Sequence, residues 1–428
     1  MIALLIVVSL MGLAVVSWWR LWWGTAAIVL IMPTYLLRFE LFTIPTTLLE
    51  MGIYVVFAIW LIRLVQRKID LKLVPKFWWI IIALWLVIGF SSAIVADDKA
   101  AGLGLWKAYF LDAALYFVVL VTVIKSLHQV WRVLWLLGSA VLLISLVAIW
   151  QALGLKESPE PWISQVPARV SSIFEYPNAV GLFVAPIVGL FLSLVIKRKN
   201  QSSTKKNLFA AGTVVFGILA TVLAVSQGAW LGILAALIFV SLFSRWRKFI
   251  FISLALLMII LLIIPGTRSN VVETVTFRDT SGDVRLRLWQ GTIDLLRDHP
   301  IIGAGLSGFP WLYDSYRDAA HTELLLYPHN VVLNFWVTTG LAGLAAFIVI
   351  VAKFFQLIFF KLKQGLESMV SLRLGLAAAM IALLIHGLVD VPYFKNDLAI
   401  LFWLIVGLSI ILKRLLEIQI LDDTKTPK

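Results

Sequence analysis

Hydrophobic residues occur in long uninterrupted runs, separated by short polar or basic breaks. A membrane-spanning helix needs roughly 20 consecutive apolar residues. The pattern therefore predicts an all-α, polytopic membrane bundle of about 12 or 13 transmembrane helices, the total depending on whether the first two runs both cross the membrane. The thirteen runs fall near residues 2–18, 21–37, 46–62, 77–95, 106–124, 133–152, 178–196, 208–225, 228–243, 249–265, 330–352, 372–389 and 397–413.

Composition supports this class. The chain has 428 residues, of which 61% are hydrophobic and 14% charged, whereas soluble domains are about half apolar. The first run ends in Trp18-Trp19-Arg20 without a small-residue cleavage site, so we expect it to stay in the membrane as a helix. Because the chain has no cysteine, disulfide frameworks, cysteine-ligated metals and thiol catalysis are excluded.

The net charge of +13 is unevenly distributed. About two thirds of the Lys and Arg residues, and few of the acids, lie in alternate breaks and in the C-terminal tail. The positive-inside rule places these segments in the cytoplasm. The basic excess is thus an orientation signal, and we expect no nucleic-acid partner. The segments predicted to be cytoplasmic are 63–76, 125–132, 197–206, 245–248, 353–373 and the tail from 413.

The remaining breaks face outside. They divide the chain into N-terminal transmembrane helices over 1–265, a large outer loop over 266–329, and C-terminal transmembrane helices with a cytoplasmic tail over 330–428. The cytoplasmic breaks contain no phosphate-binding GxxxxGK[ST] motif, and the chain has no DxD or HExxH motif. Any chemistry is therefore expected on the outer face.

The outer loop contains a predicted helix from Ser281 to Pro300 that carries two arginines. Arg285 and Arg287 are about 200° apart around such a helix, so they cannot both point at one ligand. Arg287 has Asp283 four residues before it, which favours a surface ion pair. Arg285 has no such acid, and either binds a ligand or extends to the membrane interface.

Four histidines lie on the outer side or near it, and one of them, His299, is predicted to be part of the stop of the Ser281–Pro300 helix. His329 precedes the next transmembrane run, near arginines rather than carboxylates, where a neutral imidazole could accept a proton or serve as a structural hydrogen-bonding group. His386 and Asp390, four residues apart, are predicted on one face of the penultimate helix, either as functional groups or as a pair that holds helices together. His321 is predicted to lie in a loop.

Several of these residues form an ordered set of motifs that resembles the O-antigen ligase/polymerase superfamily. With the hydropathy profile, the resemblance covers most of the chain, and its core is residues 266–350. The motifs are Arg285 four residues before Trp289, the P-x-x-G-x-G segment from Pro300 to Gly305 followed by Phe309, His329-Asn330 with Leu333, the G-x-x-G of Gly340 and Gly343, and the upstream stretch from Arg169 to Pro177-Asn178.

The resemblance implies a metal-independent membrane glycosyltransferase without a cofactor, in the cytoplasmic (inner) membrane of a bacterium. It would transfer a glycan from an undecaprenyl diphosphate carrier to an acceptor hydroxyl on the outer face, in lipopolysaccharide or other polysaccharide biosynthesis. Arg285 would hold the carrier diphosphate and His329 would activate the acceptor hydroxyl. The further substrate-binding candidates are Arg169, Asn178, Gln227, Arg287, Asn330, His386 and Asp390.

One position departs from the family pattern. Many ligases have Ser-Arg-Gly in the short outer turn where this chain has Ser226-Gln227-Gly228, so one expected phosphate-binding cation is missing, and Arg169 or Arg287 would have to replace it. The subclass therefore stays open. The alternatives are a repeat-unit polymerase of the same superfamily, a flippase or transporter of lipid-linked oligosaccharide, and a structural membrane protein. The acceptor is a lipid core, another glycan or a protein.

The reaction is chemically consistent with these residues. A glycan on an isoprenyl diphosphate already has a good leaving group, so catalysis needs cations for the departing diphosphate and a base for the incoming hydroxyl. The arginines and His329 supply such groups without the carboxylate pair that glycoside hydrolases use.

Overall fold

The computed structural model describes residues 2–196, 204–318, 325–362, 364 and 366–425, so that His321 lies outside the described part. Nearly all regular structure is helical. One short antiparallel hairpin, β1 (Arg38–Leu41) and β2 (Ile44–Thr47), precedes the third helix. The helices are α1 (Ile2–Trp19), α2 (Leu21–Ile31), α3 (Leu48–Val65), α4 (Lys76–Val95), α5 (Lys99–Trp106), α6 (Asp112–Val123), α7 (Leu127–Ala152), α8 (Pro177–Ile196), α9 (Thr204–Leu223), α10 (Gln227–Leu242), α11 (Arg247–Ile263), α12 (Pro265–Val275), α13 (Thr280–Asp298), α14 (Phe309–Tyr313), α15 (Val331–Phe359), α16 (Glu367–His386) and α17 (Asn396–Lys425).

The predicted all-α polytopic membrane bundle is confirmed. Within the described residues, nine helices are long and apolar enough to cross a membrane, and α11 with the start of α12 forms a further candidate that is bent by 103°. Three more apolar helices, Ala3–Trp19, Leu21–Leu36 and Gln227–Leu242, are shorter than a usual span. All thirteen apolar runs therefore lie on helices, but the total of 12 or 13 crossings stays a prediction.

Local sequence signals explain several helix boundaries. The side chain of Thr47 accepts a hydrogen bond from the backbone of Glu50, whose carboxylate accepts one in return, so that α3 begins with a capping box. Ser126 and Gln129 form the same arrangement at α7. Asn330 caps α15 by accepting hydrogen bonds from the first turn.

A buried aromatic cluster fixes the segment between α16 and α17. Tyr393 is fully buried, and its hydroxyl accepts hydrogen bonds from the indoles of Trp85 at 3.1 Å and Trp403 at 3.2 Å. The same hydroxyl donates to the carbonyl of Tyr109 at 2.8 Å. A buried tyrosine satisfied on all sides is costly to move. The residues next to Tyr393 therefore have a well-defined backbone position.

A kink in α15 receives the motif segment that follows Pro300. Gly340 has φ of +66°, in the left-handed region that favours glycine. At this kink the amide of Leu341 donates to the carbonyl of Ile301 at 3.0 Å, and that of Ala304 donates to Val337 at 2.6 Å. A Cβ at position 340 would lie 2.3 Å from the Ile301 oxygen. Gly340 thus lets the segment between α11 and α15 attach to the bundle at this kink.

That segment is largely helical where it is described, and it contains α12, α13 and α14. The helix predicted between Ser281 and Pro300 is confirmed as α13. Hydrogen bonds join α13 to the residues that follow α16, and the start of α15 to the end of α16. Residues from several helix ends therefore meet at one end of the bundle. The predicted domain boundaries stay predictions.

Candidate active site

Arg169 lies in the segment that precedes α8, at the end of the bundle where the helix termini meet. Its guanidinium donates to the Asn178 side chain at 2.8 Å and to the carbonyl of Ala224, after α9, at 3.0 Å. The ring of Trp162 lies 5.6 Å below it. The structure thus brings together the arginine and the asparagine of the upstream motif, although they are nine residues apart in the sequence.

Arg285 lies on α13 and points towards the segment after α16. Its Nε donates to the carbonyl of Val389 at 2.9 Å. Burial lowers the pKa of Arg169, and the positive charge of Arg285 lowers it further, so the two guanidinium groups lie within electrostatic range of each other. In the part of the chain that the structure describes, no carboxylate forms a salt bridge with either one. Two neighbouring cations without a carboxylate form a site that suits an anion.

His329 contacts a buried carboxylate, which corrects the expectation that it lies near arginines rather than acids. Its Nδ1 is 3.2 Å from Oδ1 of Asp390. The expectation that His386 and Asp390 share one helix face is also wrong. The helix α16 ends at His386, because the chain turns at Gly387, whose carbonyl accepts from the amide of Val331 at 2.7 Å. Asp390 therefore lies beyond the helix and contacts His329, which is 61 residues away in the chain.

Two opposing effects act on the pKa of Asp390. Burial tends to raise its pKa, but the hydrogen bond and the charge of His329 outweigh burial and hold the pKa of Asp390 below its usual range. When the imidazole of His329 is neutral, a carboxylate at Nδ1 favours the tautomer that carries the proton there, and the lone pair then lies on Nε2. The backbone of His329 has φ of +46°, in the left-handed region that residues other than glycine seldom adopt.

Two neighbours hold the His329 backbone in this conformation. The indole of Trp289 donates to the carbonyl of Pro328 at 2.9 Å, which connects α13 to the residue before the histidine. Asn330 caps α15 and donates from its amide to the carbonyl of Leu388 at 3.0 Å. Asn330 therefore fixes the position of the histidine, and its own side chain is occupied by backbone contacts.

The structure separates Arg287 from the two arginines described above. It forms salt bridges to Asp283 at 2.8 Å and to Asp318 at 2.7 Å, and the hydrogen bonds to Asp283 and Asp318 raise its pKa. The predicted ion pair with Asp283 is confirmed. Arg287 and Arg285 have different partners, as the spacing of about 200° predicted.

Two further candidates lie on the periphery of the site. Gln227 begins α10, and its amide is 3.4 Å from the hydroxyl of Thr274. His386 is buried against Gly228, where a Cβ would lie 2.4 Å from the imidazole, and its Nδ1 has no hydrogen-bond partner among the described residues. Close packing against a glycine indicates that His386 joins α16 to α10.

Sequence reasoning missed three residues beside the histidine. The ring of Tyr327 lies 4.5 Å from that of His329, and its hydroxyl is 3.3 Å from the hydroxyl of Tyr176. The ammonium of Lys395 lies 4.3 Å from the Tyr176 ring. Lysines are scarce in the segments predicted to face outside, and Lys395 directly precedes the last apolar run, so this signal was present in the sequence. Across the described residues, no group of three or more His, Asp or Glu could hold a metal ion.

Comparison with known proteins agrees with this geometry. Residues 212–348 match the family model described as O-antigen ligase. The matched region contains Arg285, His329 and the kink at Gly340. This family model represents a class of multi-pass membrane proteins that comprises glycan ligases and polymerases. The predicted resemblance to the O-antigen ligase/polymerase superfamily is thus confirmed, on a match that covers residues 212–348 of the chain.

A relative of the chain is an uncharacterized protein of Haemophilus influenzae. It is 26% identical over 247 residues, which are 51% of this chain and 57% of that protein. The chain therefore spans little more than half the length of this relative.

Proposed function

We propose that this protein is a glycosyltransferase of the O-antigen ligase type. It transfers a glycan from an undecaprenyl diphosphate carrier to an acceptor hydroxyl on the outer face of the bacterial cytoplasmic membrane. The observation that carries the proposal is the pair Arg169 and Arg285, neighbouring cations without a carboxylate, at the same end of the bundle as the histidine–carboxylate pair of His329 and Asp390.

In the reaction, the acceptor oxygen forms a bond to the anomeric carbon of the glycan. The bond from that carbon to the diphosphate oxygen breaks, and its electron pair leaves with the diphosphate. Nε2 of His329 takes the proton of the acceptor hydroxyl, and Asp390 stabilises the resulting imidazolium through Nδ1. The guanidinium groups of Arg169 and Arg285 stabilise the charge that develops on the leaving diphosphate.

Asn178 supports this role by orienting Arg169. The missing cation at Gln227 is replaced by Arg169 in this proposal rather than by Arg287, since both carboxylate partners of Arg287 occupy its guanidinium. The basic breaks between helices then face the cytoplasm, as does the C-terminus, and the segment with α12, α13 and α14 faces outside.

The proposal is tested by reconstituting the purified chain in liposomes with a lipid-diphosphate-linked oligosaccharide and candidate acceptors. The acceptors are a lipid core, a second lipid-linked repeat unit and a protein, and mass spectrometry identifies the products. Transfer of the glycan to one acceptor is the expected result. A ladder of repeats would indicate a polymerase, and movement of the intact carrier across the bilayer without transfer would indicate a flippase and reject the proposal.

A further inference from the structure

Beside the histidine–carboxylate pair lies a second cationic position that the proposed reaction does not use. The ammonium of Lys395 donates to the hydroxyl of Tyr35 at 3.0 Å. It also lies over two aromatic rings, 4.3 Å from that of Tyr176 and 5.5 Å from that of Tyr35. Two rings around one ammonium stabilise its charge without neutralising it.

Lys395 has no salt bridge among the described residues. Asp397, Glu175 and Asp390 are near enough to influence its charge, but none lies within 4 Å of the ammonium nitrogen. Glu175 is 3.6 Å from Arg38 instead, and Asp390 contacts His329. A lysine ammonium has three hydrogens, and Tyr35 accepts one of them, so donor capacity is left for a ligand.

The position is reachable from the candidate active site. Four partly exposed residues form a continuous row of contacts. Lys395 contacts Tyr176, Tyr176 contacts Tyr327, and Tyr327 contacts His329. Tyr35, by contrast, is buried, and its hydroxyl accepts a hydrogen bond from the ammonium of Lys395. Burial, the largest cause, lowers the pKa of Lys395, because the ammonium has lost water that an anion could replace.

The backbone at this position is rigid. Lys395 follows Tyr393 by two residues, and its amide donates to the Tyr393 carbonyl at 2.8 Å. Asn396 next to it donates from its side chain to the buried carboxylate of Glu50 at 2.9 Å. The backbone of Lys395 is thus positioned by hydrogen bonds that do not depend on a ligand.

We propose that Lys395, with Tyr35 and Tyr176, forms an anion subsite that holds a phosphate or carboxylate group of a substrate while His329 contacts the acceptor hydroxyl. The inference rests on the proposed function and deepens it, since it says that one substrate carries a second recognised anionic group. That group belongs either to the diphosphate of the carrier or to an acidic sugar of a glycan.

The test measures binding rather than turnover, with the full chain in lipid nanodiscs. The three probes are farnesyl diphosphate, an oligosaccharide that contains glucuronic acid, and the carboxyl-reduced form of the same oligosaccharide. Lys395→Gln is compared with Lys395→Arg, which keeps the charge. The matched control is Lys353→Gln, because Lys353 also lies over an aromatic ring, 5.1 Å from that of Phe77, but on the opposite end of its helix from His329.

We expect Lys395→Gln to weaken binding of one of the two anionic probes by about tenfold to a hundredfold, the loss that follows from removing a hydrogen bond between charged groups. Lys395→Arg and Lys353→Gln should stay within about threefold of the unaltered protein, and binding of the reduced oligosaccharide should not change. Loss with farnesyl diphosphate assigns the subsite to the carrier, and loss with the acidic oligosaccharide assigns it to a glycan.

Equal affinity of the unaltered protein and Lys395→Gln for both anionic probes would overturn the subsite, as would failure of the unaltered protein to bind either probe. Thermal midpoints of the variants show that each is folded. Because binding and not glycan transfer is measured, failure of the subsite can be distinguished from failure of the proposed function. If the subsite binds a probe but the protein transfers no glycan, only the proposed function is rejected. If the protein transfers glycan but Lys395→Gln binds both anionic probes normally, only this inference is rejected.

Discussion

Replacing Arg285 by alanine tests whether α13 presents one arginine to the leaving diphosphate. Nε of Arg285 is committed to the carbonyl of Val389, and Nη1 has only a contact of 3.5 Å to the Ser281 carbonyl. The guanidinium therefore retains N–H groups for two hydrogen bonds to a phosphate. At about 1.5 to 3 kcal/mol for each hydrogen bond to a charged group, the loss is about 3 to 6 kcal/mol. This predicts a fall in kcat/KM of roughly a hundredfold to ten-thousandfold.

The matched control is Arg287→Ala on the same helix. Arg287 binds two exposed carboxylates, and exposed ion pairs contribute little, so we expect kcat/KM to change by less than about threefold. Arg285→Lys keeps the charge but loses the planar guanidinium that can form two parallel hydrogen bonds. Its kcat/KM should therefore lie between those of Arg285→Ala and Arg287→Ala. The assay is the initial rate of glycan transfer in liposomes at several concentrations of the lipid-linked donor, with thermal midpoints as a check on folding.

Two outcomes of the comparison between Arg285→Ala and Arg287→Ala would contradict the proposed role of Arg285. If Arg285→Ala and Arg287→Ala lose activity equally, the two side chains act together and the orientation of α13 described above is wrong. If Arg285→Ala retains more than a third of the activity, this guanidinium does not hold the leaving diphosphate.

Three further substitutions test the partner of the histidine, the anchoring of the motif and the turn at Gln227. Asp390→Asn should lower kcat by about a hundredfold with little change in the donor KM, because the imidazolium loses its ionised partner; a raised KM at unchanged kcat would argue against this role. Because the pKa of Asp390 is lowered in the folded protein, its carboxylate stabilises the fold above about pH 4, and this stabilisation is lost as the pH falls towards that lowered pKa. The thermal midpoints of Asp390→Asn and the unaltered protein should therefore converge in acid. Gly340→Ala places a Cβ 2.3 Å from a carbonyl at positive φ and should cost at least about 2 kcal/mol, seen as a lower thermal midpoint, whereas Gly212→Ala, with open space around it, should not; equal midpoints would place the strain elsewhere. Gln227→Arg should be tolerated or should tighten carrier binding, and complete inactivation would mean that this turn is not at the diphosphate.

The sequence was sufficient for the parts of the fold that depend on local patterns. Apolar runs of membrane length predicted the helices of the bundle. The outer stretch from Ser281 to Pro300 predicted α13, and 3.6 residues per turn predicted the opposite orientation of Arg285 and Arg287. It was not sufficient for the number of crossings. Three apolar runs form helices shorter than a usual span, and hydropathy does not report how such short helices are embedded.

The pairing of His329 with Asp390 could not be predicted, because it depends on where α16 ends. A spacing of four residues predicts one helix face only while the helix continues, and here it ends at His386. Lys395 was missed for a related reason. Its partners Tyr35 and Tyr176 come from distant parts of the chain, and only the folded structure brings them together.

The central claim is that His329 is the base of a glycan transfer, and a single-turnover experiment tests it most directly. Purified protein, at a concentration above that of a lipid-diphosphate-linked glycan, is mixed with acceptor, and mass spectrometry follows the loss of donor and the appearance of product. We predict complete conversion by the unaltered protein, and no measurable product from His329→Ala at an unchanged protein level. Normal transfer by His329→Ala would contradict the account.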